Sequence, residues 1–192
     1  MKYQLRDYQK KASDAAVMCF KMKSGRNGLL VLPTGAGKSL IIADIAARLE
    51  EPLIVFQPNK EILEQNFAKL QTYGIWDCSI YSASVGRKEI SRITFATIGS
   101  VIRHMKDFQH FKNILIDECH LVKPSDGMYK RFFEQAERRI VGLTATPYRL
   151  YSCMNGSMLK FLTRTRPRVF SQVLYYCQVS CLLYTSPSPR DA

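Results

Sequence analysis

The chain has 192 residues, with 46% apolar and 23% charged side chains. It is long enough for one sizeable domain and too short for two ordinary ones. No apolar run approaches the ~20 residues of a membrane span, and residues 1–6 lack the apolar core of a secretion signal. Six scattered cysteines, without a Cys-x-x-Cys pair, make a zinc site a poor interpretation, so we expect a cytoplasmic protein with reduced thiols.

The net charge of +12 is spread along the chain rather than concentrated in a tail. Residues 1–150 hold 23 Lys/Arg and 15 Asp/Glu, and residues 151–192 hold five and one. A basic body favours a polyanionic partner such as nucleic acid, although many other proteins share this charge balance.

Short apolar runs alternate with amphipathic segments along residues 5–143. The pattern predicts helices at 5–22, 40–49, 61–70, 97–106 and 129–136, and strands at 28–32, 53–56, 78–81, 93–96, 113–116 and 139–143. A basic loop, 86–88, is expected between the third and fourth strands. Strands of nearly continuous apolar content between helices are typical of an α/β fold, in which helices cover both faces of a parallel sheet. Ligands of such sheets bind at the carboxyl ends of the strands.

A glycine-rich turn lies between the first predicted strand and the helix that follows it. Two glycines let the backbone wrap an anion, and the start of the helix adds partial positive charge. Lys38 would reach the β and γ phosphates of ATP, and the Ser39 hydroxyl would bind Mg²⁺. The general motif has glycine at the position of Leu32, so this loop departs from it there. The residues assigned to ATP are Thr34, Gly35, Ala36, Gly37, Lys38 and Ser39.

Two adjacent carboxylates follow the apolar run 113–116, at another predicted strand end. Asp117 is suited to hold Mg²⁺, and Glu118 to orient and deprotonate the water that attacks the γ-phosphate. The alternative for each taken singly is a solvated acidic strand end.

These motifs resemble superfamily 2 helicases and translocases over residues 5–149, in the order that the family has. Pro-Thr-Gly-Ala-Gly-Lys-Ser at 33–39 is the phosphate loop of that superfamily, Asp-Glu-Cys-His at 117–120 resembles its Asp-Glu-x-His box, and Thr-Ala-Thr at 144–146 resembles its motif III. The resemblance implies a RecA-like P-loop domain over 1–150 that hydrolyses ATP. The opening and the Thr-Ala-Thr-Pro-Tyr-Arg ending are most similar to the DNA-acting branch of restriction-type and phage or repair helicases, with an RNA helicase as the alternative.

The resemblance also implies roles for residues outside the two main motifs. Gln9 would read adenine. His120, Thr144 and Thr146 would couple the nucleotide to the grip on nucleic acid, although each taken alone is more often structural. The residues expected to contact nucleic acid are Pro58, Lys60, Thr97 and Ser100.

The pattern ends near residue 151. We expect 151–180 to be the start of a linker or unassigned, with the second RecA-like domain of a helicase missing from this chain. Residues 181–191 can be back-translated into a string that resembles a sequencing-library adapter, so 181–192 is expected to be a non-native tail. A natural Ser/Pro-rich end is the alternative.

Without a partner domain, we expect weak ATP binding and slow hydrolysis. A non-catalytic binding module and another P-loop enzyme, such as a kinase, are the rival interpretations.

Overall fold

The computed structural model describes residues 4–22, 26–123, 127–153 and 156–178. The helices are α1 (Asp7–Lys21), α2 (Lys38–Arg48), α3 (Lys60–Thr72), α4 (Ile98–Val101) and α5 (Met128–Phe133). The strands are β1 (Gly28–Val31), β2 (Leu53–Phe56), β3 (Cys78–Ser82), β4 (Arg87–Lys88), β5 (Ile93–Ala96), β6 (Asn113–Ile116), β7 (Arg139–Thr144), β8 (Tyr148–Cys153), β9 (Gly156–Phe161) and β10 (Gln172–Tyr176). Within these residues, no helix is long and apolar enough to cross a membrane.

Eight of the described strands form one sheet in the order β10-β1-β7-β6-β2-β5-β3-β4. All neighbouring pairs are parallel except β3 and β4. The α/β fold with a mostly parallel sheet is therefore confirmed. The carboxyl ends of β1, β7, β6 and β2 lie side by side, as the sequence analysis requires of a shared site.

Apolar residues cover both faces of the sheet, as predicted. Leu30 and Val55 pack in a cluster with α1, α2 and α3, whereas their neighbours Leu29 and Ile54 pack in a second cluster with α4 and α5. Alternate side chains of a strand point to opposite faces, so a strand that is apolar at every position is buried on both. This double burial explains why continuous apolar runs located the central strands.

Two local predictions were wrong. The expected loop at 86–88 contains β4, because Lys88 and Arg87 pair with Tyr81 and Ser82 at the edge of the sheet. The expected helix 97–106 is divided into the short α4 and a separate 3-10 turn, Met105–Phe108. The chain turns there because Phe108 is fully buried against the sheet.

The described residues between 148 and 178 form three further strands. Strands β8 and β9 form an antiparallel hairpin of their own, and β10 then enters the main sheet parallel to β1. Leu174 of β10 lies over Gly28, where an added Cβ would be 2.4 Å from the leucine side chain. The main sheet thus extends past residue 150, into the segment for which the sequence pattern predicted no element. The predicted tail, 181–192, lies outside the described residues.

Candidate active site

The glycine-rich loop joins the end of β1 to the start of α2, as predicted. Gly35 and Gly37 have φ angles of +83° and +72°, which side-chain-bearing residues rarely adopt. Among the described residues, the backbone N–H groups of Gly37, Lys38 and Ser39 donate no hydrogen bond. Free N–H groups at the positive end of an 11-residue helix suit the phosphate groups of a nucleotide.

Lys38 forms an ion pair with Glu118, so the structure joins the phosphate loop directly to the end of β6. Glu118 has a left-handed backbone conformation, with φ of +47°, which is uncommon for a residue other than glycine. This conformation lets successive side chains diverge. Cys119 turns into the core, where its Sγ fills the space above Gly142 and would lie 2.6 Å from an added Cβ there.

Asp117 lies behind this pair and is buried. Its carboxylate accepts hydrogen bonds from the backbone N–H of Glu118 at 3.0 Å and from Asn66 Nδ2 at 3.4 Å. Burial raises the pKa of Asp117 to about 6, with Lys38 opposing the rise. A bound cation would favour the ionised carboxylate, so the residue fits an ion-binding role. The sequence did not point to Asn66, since one amide on a helix carries no motif.

Ser39 does not contact Asp117 in the structure. Its hydroxyl accepts a hydrogen bond from Lys69 Nζ of α3 at 3.3 Å. No cluster of three metal-ligating side chains occurs among the described residues. One carboxylate and one hydroxyl fit Mg²⁺, which is commonly held by few protein ligands together with phosphate and water.

His120, Thr144 and Thr146 are brought together at the adjacent ends of β6 and β7. His120 Nδ1 lies 3.0 Å from Thr144 Oγ1 and 3.3 Å from Glu118 Oε2. Thr144 Oγ1 in turn accepts a hydrogen bond from the backbone N–H of Thr146 at 3.0 Å. One continuous chain of polar contacts therefore runs from Lys38 to Thr146.

Arg149 extends this chain into the hairpin, a connection that the sequence did not reveal. Its guanidinium donates hydrogen bonds to the carbonyl oxygens of His120 and Val122, the latter at 2.5 Å. Both acceptors are backbone atoms, so no side-chain pattern points to them.

Gln9, the expected adenine reader, contacts the phosphate loop. Its Nε2 donates to the Ala36 carbonyl at 3.0 Å, and its Oε1 accepts from the Arg6 N–H at 2.9 Å. Tyr8 also donates to Ala36, at 3.3 Å. In this arrangement Gln9 supports the loop, and an added Cβ on Gly37 would lie 2.6 Å from its amide nitrogen.

The residues expected to bind nucleic acid line one groove of about 460 Å³ at the carboxyl ends of β2, β3 and β5. The hydroxyls of Thr97 and Ser100 lie 3.0 Å apart, and Ser100 Oγ accepts the backbone N–H of Ala83 at 2.8 Å. Pro58 and Lys60 also line this groove. A larger depression, about 960 Å³, lies at the amino ends of the strands beside Trp76 and contains none of the predicted site residues.

Comparisons with known proteins agree with this geometry. A DNA 3'-5' translocase XPB2 of Sulfurisphaera tokodaii is 29% identical over 151 residues, which cover 77% of this chain and 32% of the relative. A DNA 3'-5' helicase XPB of Mycobacterium tuberculosis is 29% identical, with 75% and 27% covered. The Type ISP restriction-modification enzyme LlaGI, solved as a nuclease-deletion mutant with a DNA substrate mimic, matches 95% of this chain and 20% of its own with a TM-score of 0.67 at 16% identity.

The sheet order, the glycine-rich loop and the adjacent acidic strand end define a RecA-like P-loop domain of the superfamily 2 helicase type. The chain belongs to the family described as Type III restriction enzyme, res subunit, whose model matches residues 2–149. It spans about a third of the length of the curated relatives it matches.

Proposed function

We propose that this domain binds and hydrolyses ATP as the first motor domain of a DNA helicase or translocase. The observation that carries the proposal is the continuous series of polar contacts from Lys38 through Glu118 and His120 to Thr144. A purely structural P-loop fold has no need to connect its phosphate lysine to a histidine and a threonine on neighbouring strands. The names of the relatives support the same activity.

Each residue in this series of polar contacts has a distinct role in the proposal. Lys38 releases Glu118 and binds the terminal phosphates, which leaves the Glu118 carboxylate free to take a proton from the attacking water. Asp117 and Ser39 would hold Mg²⁺, which when bound neutralises charge on the phosphates. Asn66 keeps the Asp117 carboxylate oriented.

The binding-only module remains the rival, and Glu118 distinguishes the two. A module that only binds nucleotide gains nothing from a carboxylate that competes for Lys38. A hydrolase needs that carboxylate as the base.

We infer that nucleic acid runs along the groove lined by Pro58, Lys60, Thr97 and Ser100. DNA is favoured over RNA because the two relatives described above are named for DNA. Four described free cysteines support the cytoplasm as the compartment.

We also propose that a second motor domain supplies arginines across the nucleotide. Arginines of this kind increase phosphoryl-transfer rates by about 10³–10⁵-fold. The 192-residue chain by itself should therefore bind ATP–Mg²⁺ weakly and hydrolyse it slowly.

ATP hydrolysis by the full-length gene product, measured without nucleic acid, with DNA and with RNA, tests the proposal. We expect stimulation by DNA and its loss in Lys38→Ala. Stimulation by RNA alone would reassign the substrate. Strong nucleic-acid-stimulated turnover by the 192-residue chain alone would contradict the need for a second domain.

A further inference from the structure

The hairpin β8–β9 presents an apolar face to solvent. Tyr148 pairs across the hairpin with Phe161, and Leu150 with Leu159, so all four side chains lie on one face. They are between 43% and 62% exposed. The Tyr148 and Phe161 rings touch edge to face, with centroids 6.3 Å apart. Exposed aromatic rings on a short hairpin of this kind are available for contact with another molecule.

A basic segment follows the hairpin at once. Arg164, Arg166 and Arg168 are exposed, and none forms an ion pair with any residue that the structure describes. The segment is nevertheless fixed, because Leu162 and Phe170 are buried in the core. The Leu162 N–H also donates to the Pro147 carbonyl at 2.8 Å, which holds the segment against the base of the hairpin.

The positive charge of this region indicates which kind of molecule it would bind. Residues 148–178 contain five basic side chains and no acidic one. Unpaired arginines beside exposed aromatic rings are the combination by which proteins bind single-stranded nucleic acid, because the arginines contact phosphates and the rings stack on bases. An apolar protein partner would leave the three arginines without counter-charge.

The hairpin is also continuous with the proposed nucleic-acid groove. Leu121 lines that groove, and the carbonyl of the next residue, Val122, accepts a hydrogen bond from Arg149 on the other face of the hairpin. Leu121 and Val122, directly after the Asp-Glu-Cys-His segment, therefore link the groove to the hairpin.

We propose that the outer face of the β8–β9 hairpin and the arginines at 164, 166 and 168 form a second contact surface for a single strand of nucleic acid. This surface contains none of the residues that the family resemblance assigns to nucleic acid. The inference rests on the proposed function, since it extends the path of the same strand beyond the groove.

The test is the affinity of the 192-residue chain for fluorescein-labelled oligothymidylate and oligouridylate, measured by anisotropy over a range of salt concentrations. The variant Arg164→Ala/Arg166→Ala/Arg168→Ala should bind at least about tenfold more weakly. It should also lower the slope of log affinity against log salt by about two, as expected for three lost phosphate contacts. The control Lys10→Ala/Lys11→Ala/Lys21→Ala removes the same charge from exposed positions on α1 and should change affinity less than about twofold.

The rings are tested separately with Tyr148→Leu/Phe161→Leu, which keeps the face apolar. This variant should bind at least about fivefold more weakly with an unchanged salt slope. Circular dichroism establishes that each variant is folded, and Arg→Gln substitutions replace any alanine variant that is not. Equal affinity for both oligonucleotides assigns the surface to strands in general, and a preference for one assigns it to that strand.

Four results would overturn the inference. If the arginine and α1 variants weaken binding equally, the effect is only net charge. If the ring variant changes the oligomeric state instead of strand affinity, the hairpin contacts a second protein chain. If the arginine variant binds normally while Lys60→Ala weakens binding, the groove proposal stands and this surface is wrong. Failure of the unaltered chain to bind either strand contradicts both proposals.

Discussion

The proposed nucleotide side and the proposed nucleic-acid side of the same sheet edge, called the nucleotide side and the nucleic-acid side below, differ in how their charges are arranged. At the ends of β1 and β6, Lys38, Glu118 and His120 are partnered with one another. Around the groove and the hairpin, Lys60, Arg103 and the arginines at 164, 166 and 168 are exposed and form no ion pair among the described residues. The nucleotide side must exchange partners to work, whereas the nucleic-acid side offers charge that is already free.

This difference has consequences for mutation. Removing one member of a mutually paired set leaves its partner without counter-charge, so effects on the nucleotide side should be large and interdependent. Effects on the nucleic-acid side should be smaller, nearly additive and sensitive to salt.

The largest effect is expected from Glu118→Gln in the full-length gene product. The amide keeps the shape but cannot accept a proton from water, so ATP hydrolysis should fall by about 10²–10⁴-fold. Steady-state phosphate release provides the measurement. Glu64→Gln, an exposed position on α3, is the matched control and should be near wild type. Hydrolysis that survives Glu118→Gln would show that another group is the base.

The next effect concerns the stability of the nucleotide side. Burial raises the Asp117 pKa from 3.8 to about 6, so the folded protein retains a proton that the unfolded chain releases between those values. Stability from this group is therefore lost as pH rises through that window, by up to about 3 kcal/mol above pH 6.

Asp117→Asn removes this cost because the amide is neutral. Without Mg²⁺ or nucleotide, we expect the variant to be about 1–3 kcal/mol more stable than wild type at pH 7.5 and about half as much more stable at pH 5, which lies inside the window between the two pKa values. Chemical denaturation of the variant and of wild type at both pH values measures the difference in the free energy of unfolding. Asp107→Asn is exposed and serves as control. A variant that is less stable than wild type at pH 7.5 would mean that the hydrogen bonds of the carboxylate outweigh its desolvation.

A smaller effect is expected for Thr144→Ala/Thr146→Ala in the full-length gene product. The double substitution removes the hydroxyls that link the nucleotide side to the nucleic-acid side. Each lost hydrogen bond contributes about 0.5–1.5 kcal/mol, so base pairs unwound per ATP hydrolysed should fall about twofold to tenfold. Hydrolysis itself should be partly retained. Thr144→Ser keeps the hydroxyl that meets His120 and should preserve the ratio. If the number of base pairs unwound per ATP is unchanged in the double variant, both threonines have only a structural role.

The parts of the molecule that could be predicted are those in which a short stretch of sequence has a recognisable pattern of its own. Central strands are buried on both faces and read as apolar runs, and the phosphate loop needs glycines at φ angles that other residues avoid. Strand β10 was not predicted although residues 173–177 are an apolar run, because it lies beyond the residues 5–149 that the family resemblance covers and at the edge of the sheet, where Val173 and Tyr176 are exposed. Contacts that depend on tertiary packing were equally invisible, including those of Asn66 with Asp117 and of Arg149 with backbone carbonyls.

Gln9 illustrates a further limit. The family resemblance assigns it to adenine, which stays a prediction, and in the structure both ends of its amide are held within the protein, one by the phosphate loop. A residue's role in a motif does not specify which hydrogen-bond partners its side chain takes, because those partners depend on tertiary packing.

The most direct test of the account is ATP–Mg²⁺ affinity of the 192-residue chain, measured by calorimetry for wild type, Lys38→Ala and Glu118→Gln. The ion pair predicts opposite changes, because Glu118 competes with phosphate for Lys38. Lys38→Ala should bind at least about tenfold more weakly, since it loses a charge-assisted contact, whereas Glu118→Gln should bind as tightly as wild type or more tightly. Comparable losses of affinity in both variants would contradict the roles given to this pair.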